Sequence, residues 1–287
     1  MTTVQKQNAQ PQEEYAAHPV LERACLVFTP ATHRYYLAWT PKEGDPERAS
    51  NIKFLADYSE RISGVNEMIE RYFPKFDAAA ISGRAAEREG VAPETIRARW
   101  AAAAAAASGL GTRVHANQEA MLQGKKPPHM PEDDRERAIM TAGWQAVQWL
   151  RQAGWEPLYI EKKIFSPWMK LAGTVDAVLH RKGGYLILDW KTNKALEERS
   201  KYGNHALPPI AHLDDCNMAH YHLQLAVYRR ILEAEGYITG IGSILMALCH
   251  LAPAGPRVIK LADTPDADRI LNHHLTHLPI YRENIPF

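Results

Sequence analysis

Cysteine is scarce: 287 residues hold three, Cys25, Cys216 and Cys249. No two of them form a CxxC pair. That argues against a disulfide framework, a four-cysteine zinc site or an iron–sulfur cluster. Reduced thiols in a cytoplasmic protein are the expectation. Long apolar runs are missing as well. No stretch approaches the ~20 residues that span a bilayer, so no membrane partner is expected. Residues 1–14 are Gln-rich and lack the apolar centre of a secretory signal. Finally, no charge of one sign dominates. Lys and Arg number 34 against 33 Asp and Glu, so only local clustering can point to a nucleic-acid partner.

What remains is the composition of a globular chain, long enough to bury a full core. Residues 1–20 read as a disordered tail. The run Arg34–Trp39 is β-prone, and Pro41–Pro46 is a turn-rich break. From Val65 the spacing of Met68, Ile69, Tyr72 and Phe76 predicts an amphipathic helix capped by Ser63. A long helix is expected over Pro93–Leu122, with proline in its first turn and the strongest helix former in the tract Ala101–Ala107. A proline loop (125–134) and a further helix bearing Trp144, Val147 and Leu150 follow.

Three strands are predicted next, over Leu158–Phe165, Leu171–His180 and Tyr185–Lys191. The last is apolar almost throughout, as a strand covered on both faces should be. A polar, proline-bearing insertion covers Leu196–His212. Asn217–Ala234 then reads as a helix, Ile241–His250 as a strand, and Leu261–Tyr281 as ending in a helix. This order predicts an α/β fold with a central mixed sheet flanked by helices. The expected division is a tail (1–20), an N-terminal cap or elaboration (21–100) that could arch over the active site, and a core (101–287).

Chemistry concentrates around Asp189-Trp190-Lys191. Residues i and i+2 of a strand share a face, so a carboxylate and an amine point the same way from a buried strand, at a cost unless used or paired. The preceding strand carries Asp176 amid apolar neighbours. Its connection, Arg181-Lys182-Gly183-Gly184, is a tight turn, so the two strands should run antiparallel with Asp176 near Asp189. Two close carboxylates repel, and a divalent cation relieves that. Oxygen ligands suit Mg²⁺ or Mn²⁺. Such an ion polarises phosphoryl oxygens, and a lysine beside it neutralises developing charge.

On the long helix, Gly111, His115 and Glu119 share one face. His115 can look onto the sheet as a metal ligand, with Glu119 steering its other nitrogen. On the later helix, Asn217, Tyr221, Gln224 and Tyr228 form a polar-aromatic stripe. Glu161 sits in the first of the three strands beside Lys163. Between Lys162 and Lys201 nine basic residues, Lys194 among them, face four acids. That local balance of +5 suits a phosphate backbone. Rival readings are weaker. His212, Asp214 and His250 could form an iron-binding triad, but that chemistry expects a jelly roll. His273 and His277 have zinc-like spacing but lack the glutamate of HExxH.

GxxxH (Gly111–His115), Glu161, GxxD (Gly173–Asp176), DxK (Asp189–Lys191) and QxxxY (Gln224–Tyr228) occur in this order. That series resembles the RecB-type branch of the PD-(D/E)XK nuclease superfamily, which includes phage exonucleases. His33-Arg34-Tyr35-Tyr36 and Phe76-Asp77 are similar to phage members too. Ser63-Gly64-Val65-Asn66 departs from the usual Ser-Val-Thr. The resemblance implies a restriction-endonuclease-like core and a Mg²⁺- or Mn²⁺-dependent deoxyribonuclease. The implied action is exonucleolytic, on single-stranded or frayed ends, in replication, recombination or repair, within a bacterial or phage-infected cell. His115, Asp176 and Asp189 would hold the metal with the Trp190 carbonyl, and Lys191 would orient the attacking water. Glu161 would lie further out. Gln224, Tyr228, Tyr221, Thr192 and Lys194 would contact DNA or support the site. The alternatives are a structure-specific endonuclease and a non-catalytic DNA-binding scaffold.

Overall fold

The computed structural model describes residues 14–39, 60–240 and 242–278. The turn-rich break at Pro41–Pro46, residues 1–13 of the expected tail, Ile241 and the end of the last expected helix lie outside the described residues. One nine-stranded sheet organises the rest. Its first four strands are β1 (Glu14–Ala17), β2 (Ala24–Thr29), β3 (Arg34–Trp39) and β4 (Glu60–Gly64). The others are β5 (Glu156–Ser166), β6 (Leu171–Arg181), β7 (Gly184–Lys191), β8 (Ser243–Ala252) and β9 (Gly255–Leu261). The order is β1-β2-β3-β4-β6-β7-β8-β9, with β5 on the other edge of β6. β4 runs parallel to β6 and β7 parallel to β8; every other pair is antiparallel. The sheet is mixed, as the sequence predicts.

Two departures concern the N-terminal part. Glu14–Ala17, expected in the tail, pairs with β2, because its backbone groups find partners along that edge. And β1–β4 extend the sheet itself rather than forming a layer above it. The helices that follow are α1 (Val65–Glu70), packed on the sheet, then α2 (Ala78–Glu89) and α3 (Pro93–Leu122). α1 is shorter than expected, ending before Pro74, which cannot continue a helix. Its cap is Gly64, whose N–H reaches the Glu67 carboxylate, while Ser63 instead accepts from Arg71.

At 30 residues and ~1.5 Å per residue, α3 is about 45 Å long. Its second half is anchored through Leu110, Val114, Met121 and Leu122 against α4 (Asp134–Gln152) and the even-numbered face of β7, including Trp190. Its first half packs on α2, around Ala85, Ala86 and Ile96, and sets Trp100 edge-on to Phe76. Between them, Ala101–Ala107 is exposed throughout. The opposite face of the sheet carries the larger core, built with α1, α5 (Asn217–Ala234) and α6 (Pro265–Thr276). No helix among the described residues is long and apolar enough to cross a membrane.

The site grows from a fork in this sheet. One edge of β6 pairs with β4 at Leu171–Ala172 and with β7 from Ala177 to Arg181. Its two neighbours therefore diverge across Gly173–Asp176. Diverging strands leave backbone donors unpaired, and side chains must satisfy them.

Candidate metal centre

Asp176 fills the fork. Its Oδ2 accepts the Trp190 N–H at 2.9 Å, tying the end of β7 to β6 where the ladder has stopped. The same oxygen lies 3.4 Å from His115 Nδ1. His115 sits in the anchored half of α3, and its Nε2 donates to the Trp190 carbonyl at 3.0 Å. With Nε2 protonated, Nδ1 presents a lone pair toward the acids. Gly111, one turn before, brings α3 close: a Cβ there would stand 3.7 Å from Thr192 Oγ1.

Glu161 comes from β5. The β5–β6 register runs Ile160↔Ala177 and then Lys162↔Val175, so Glu161 and Asp176 face each other outside the regular pairs. Glu161 holds φ at +47°, a left-handed conformation costly for a residue with a side chain. That turn brings its Oε1 to 3.9 Å from His115 Nδ1. Lys163, two residues on, pairs with Glu14. One ligand atom each from His115, Glu161 and Asp176 falls within 4.8 Å of the others. An imidazole and two carboxylates at that spacing fit a divalent cation.

Asp189 is buried and lies outside that trio. Its Oδ2 stands 2.7 Å from Lys191 Nζ, but the contact is off-axis and leaves that oxygen without an aligned hydrogen bond. The Lys191 ammonium also rests over the Tyr221 ring, 4.2 Å from its centre, in reach of a cation–π attraction.

Charge in the centre is poorly compensated. Burial pushes the Glu161 carboxyl up to about 7; Asp176 adds to the rise and His115 opposes it. Burial raises Asp189 as well, against the pull of Lys191. For Lys191, burial works against the ammonium, but Asp189 and Asp176 outweigh it and strengthen its hold on its proton. The short contact favours the ionised Asp189–Lys191 pair, whose charges satisfy each other where water is scarce. The acids of the trio have no such partner.

The remaining predicted residues divide into buried supports and a rim. Tyr228 is 4% exposed, too enclosed to touch a nucleic acid. Its hydroxyl accepts from Gln224 Nε2 at 3.2 Å, and its ring lies over Gly173. A Cβ there would come within 2.5 Å of Tyr228 Cε1, which gives the glycine of GxxD its physical reason. On the rim, Tyr221 donates to Asn193 Oδ1 at 2.9 Å, and Lys194 is exposed. Glu119 does not steer His115; it accepts from Gln123 one turn on. His212, Asp214 and His250 do not converge. They contact Asp266, Ser200 with His205, and Asn193 respectively.

Sequence reasoning missed Asn193 and gave Tyr35 no role at the site. Asn193 links Tyr221 to His250 through its side chain and carbonyl; its place directly after Lys191-Thr192 was the available signal. Tyr35, named in the phage-like His33–Tyr36 segment, packs its ring on Gly64 at the end of β4, beside the fork.

Comparison with known proteins agrees with this arrangement. The family profile of the PD-(D/E)XK nuclease superfamily matches residues 65–286, from the start of α1 onward. No curated protein matches the chain.

Proposed function

The chain belongs to the PD-(D/E)XK nuclease superfamily, and from that premise we propose that it is a metal-dependent deoxyribonuclease acting exonucleolytically on single-stranded or frayed DNA ends. The single observation that carries the reading is the His115–Glu161–Asp176 trio beside the buried Lys191–Asp189 pair. Within the superfamily, the order of motifs favours the RecB-type branch, and with it a role in replication, recombination or repair in a bacterial or phage-infected cytoplasm.

His115, Glu161 and Asp176 would hold Mg²⁺ or Mn²⁺, with the Trp190 carbonyl beside them. When bound, such an ion supplies Lewis-acid chemistry at a phosphodiester. The chain's own residues do the rest. Lys191 carries fixed positive charge to the edge of the centre, where it can orient a water and offset charge gathering on the scissile phosphate. Asp189 and Tyr221 hold that ammonium in place, so Asp189 acts here through Lys191 rather than as a member of the trio. Asp176 holds β7 in register through the Trp190 N–H, which fixes Lys191 relative to His115.

The test is a parallel digest of end-labelled single-stranded, linear duplex and closed circular DNA with Mn²⁺ or Mg²⁺, and with a chelator. Cleavage of linear strands, lost with the chelator, supports the reading. Efficient cutting of closed circles would replace exonuclease with structure-specific endonuclease.

A further inference from the structure

A cleft of about 1020 Å³ opens beside His115 between the exposed half of α3 and the segment after β7. One wall is Ala103 and Ala105–Ala107; the other is Lys191–Lys194 and the start of α4. Small-molecule sites run to ~1,000 Å³, so the cleft can take more than one nucleotide. Its acids are all engaged. Glu132 and Glu136 pair with Arg113, and Asp133 caps α4 by accepting the Glu136 N–H at 2.7 Å. Arg135 and Lys194 line the same cleft, are exposed, and form no ion pair among the described residues. On the far side of His115 lies a second hollow, about 400 Å³, bounded by Gly111, Thr112, Ala116, Glu119 and Glu161. It shares His115 and Glu161 with the metal trio.

Resting on the nuclease reading above, we infer that a single DNA strand lies in the first cleft, between the alanine tract of α3 and the Thr192–Lys194 segment, and reaches the metal centre from there. Two chemistries converge there. Arg135 and Lys194 are exposed cations on the lining of one cleft, each able to meet a phosphate. Opposite them, a run of methyl groups offers sugars and bases an apolar wall without side chains to displace, and without groups that read sequence. The alanine wall also explains a helix exposed over seven residues with no large apolar side chain. A single strand can turn its unpaired bases onto that wall, whereas a duplex keeps them stacked inside.

The test reads binding, so cleavage does not enter it. The full chain is titrated in EDTA against a labelled oligo(dT), and anisotropy is followed at several salt concentrations. Lys194→Glu, Arg135→Glu and Ala106→Glu are compared with Lys182→Glu, which makes the same charge change as Lys194→Glu on the turn between β6 and β7. Glutamate is a good helix former, so Ala106→Glu should keep α3 intact. The expected result is an about tenfold rise in Kd for each groove variant. The salt slope should fall by ~0.7 per lost phosphate contact for the two cation variants, and Lys182→Glu should bind as wild type does. Wild-type affinity in all three groove variants overturns the inference. So does failure of the wild type to bind, or equal affinity for blunt duplex. Hydrolysis of bis(p-nitrophenyl) phosphate by the wild type with Mn²⁺ reports on the centre separately: its absence would count against the nuclease reading and leave the binding result standing.

Discussion

Glu161 and Asp176 face each other across β5 and β6 at the place where the regular pairing passes over one residue on each strand. Glu161 gains that position through a left-handed backbone, φ +47°, and burial then drives its carboxyl up to about 7. A strained acid that resists ionising is costly to the empty protein and useful to one that binds a cation. Removing its charge should therefore cost metal affinity. We expect Glu161→Gln to bind Mn²⁺ at least tenfold more weakly while keeping the wild-type circular dichroism spectrum. Unchanged affinity by titration calorimetry would remove Glu161 from the centre.

The same carboxyl sets a pH dependence of stability. Its folded value, about 7, stands above the ordinary 4.5, so the native state holds the proton more tightly than the unfolded chain. That contribution is fully present below pH 4.5 and is lost as pH rises through about 7. The stability of the metal-free wild type, relative to Glu161→Gln, should decline over that window. Mn²⁺ binding near pH 6 should release a proton in the wild type and fewer in the variant. Urea unfolding at a series of pH values, and calorimetry in buffers of different ionisation enthalpy, check the two parts.

Gly173 is held to its identity by Tyr228. A Cβ would meet the buried ring at 2.5 Å, so Gly173→Ala should destabilise the fold by about 1–3 kcal/mol through overpacking. It should also reduce activity by shifting the strand that carries Asp176. Combined with Tyr228→Leu, the cost should be less than the sum of the single changes. Full additivity in denaturant unfolding would show that the two do not share a space.

Lys191→Met should lose most turnover while keeping metal affinity, since no atom of Lys191 belongs to the trio. Loss of Mn²⁺ binding in that variant would show that its charge holds the site together instead of serving the substrate.

Much of this was readable from the residues. The bounds of α3 follow from Pro93 and the alanine tract, and β6 and β7 from their apolar runs around a Gly-Gly turn. The motif residues meet because the hairpin and the helix face bring them together. What alternation could not reveal is the break in alternation. A regular strand places Glu161 toward Tyr159 and Lys163, whereas the left-handed residue turns it to His115; no residue type announces that. Asp176 and Asp189 are near neighbours across the hairpin, as its tight turn predicts, and only the side-chain positions show that Asp189 lies against Lys191. The parallel pairing of β4 with β6 is long-range and carries no local signal. The burial of Tyr228 likewise depends on a glycine fifty-five positions earlier.

If His115, Glu161 and Asp176 hold a divalent ion that this chain uses to cut DNA, two readouts on one variant decide it: Asp176→Asn, in which an amide oxygen can still accept the Trp190 N–H while the charge is gone. Mn²⁺ titration and digestion of end-labelled single-stranded DNA are run side by side with the wild type. The wild type should show saturable Mn²⁺ binding and chelator-sensitive cleavage, and a folded variant should lose both. Cleavage at near-normal rate by Asp176→Asn, or a wild type that binds Mn²⁺ no better than the variant, would contradict it.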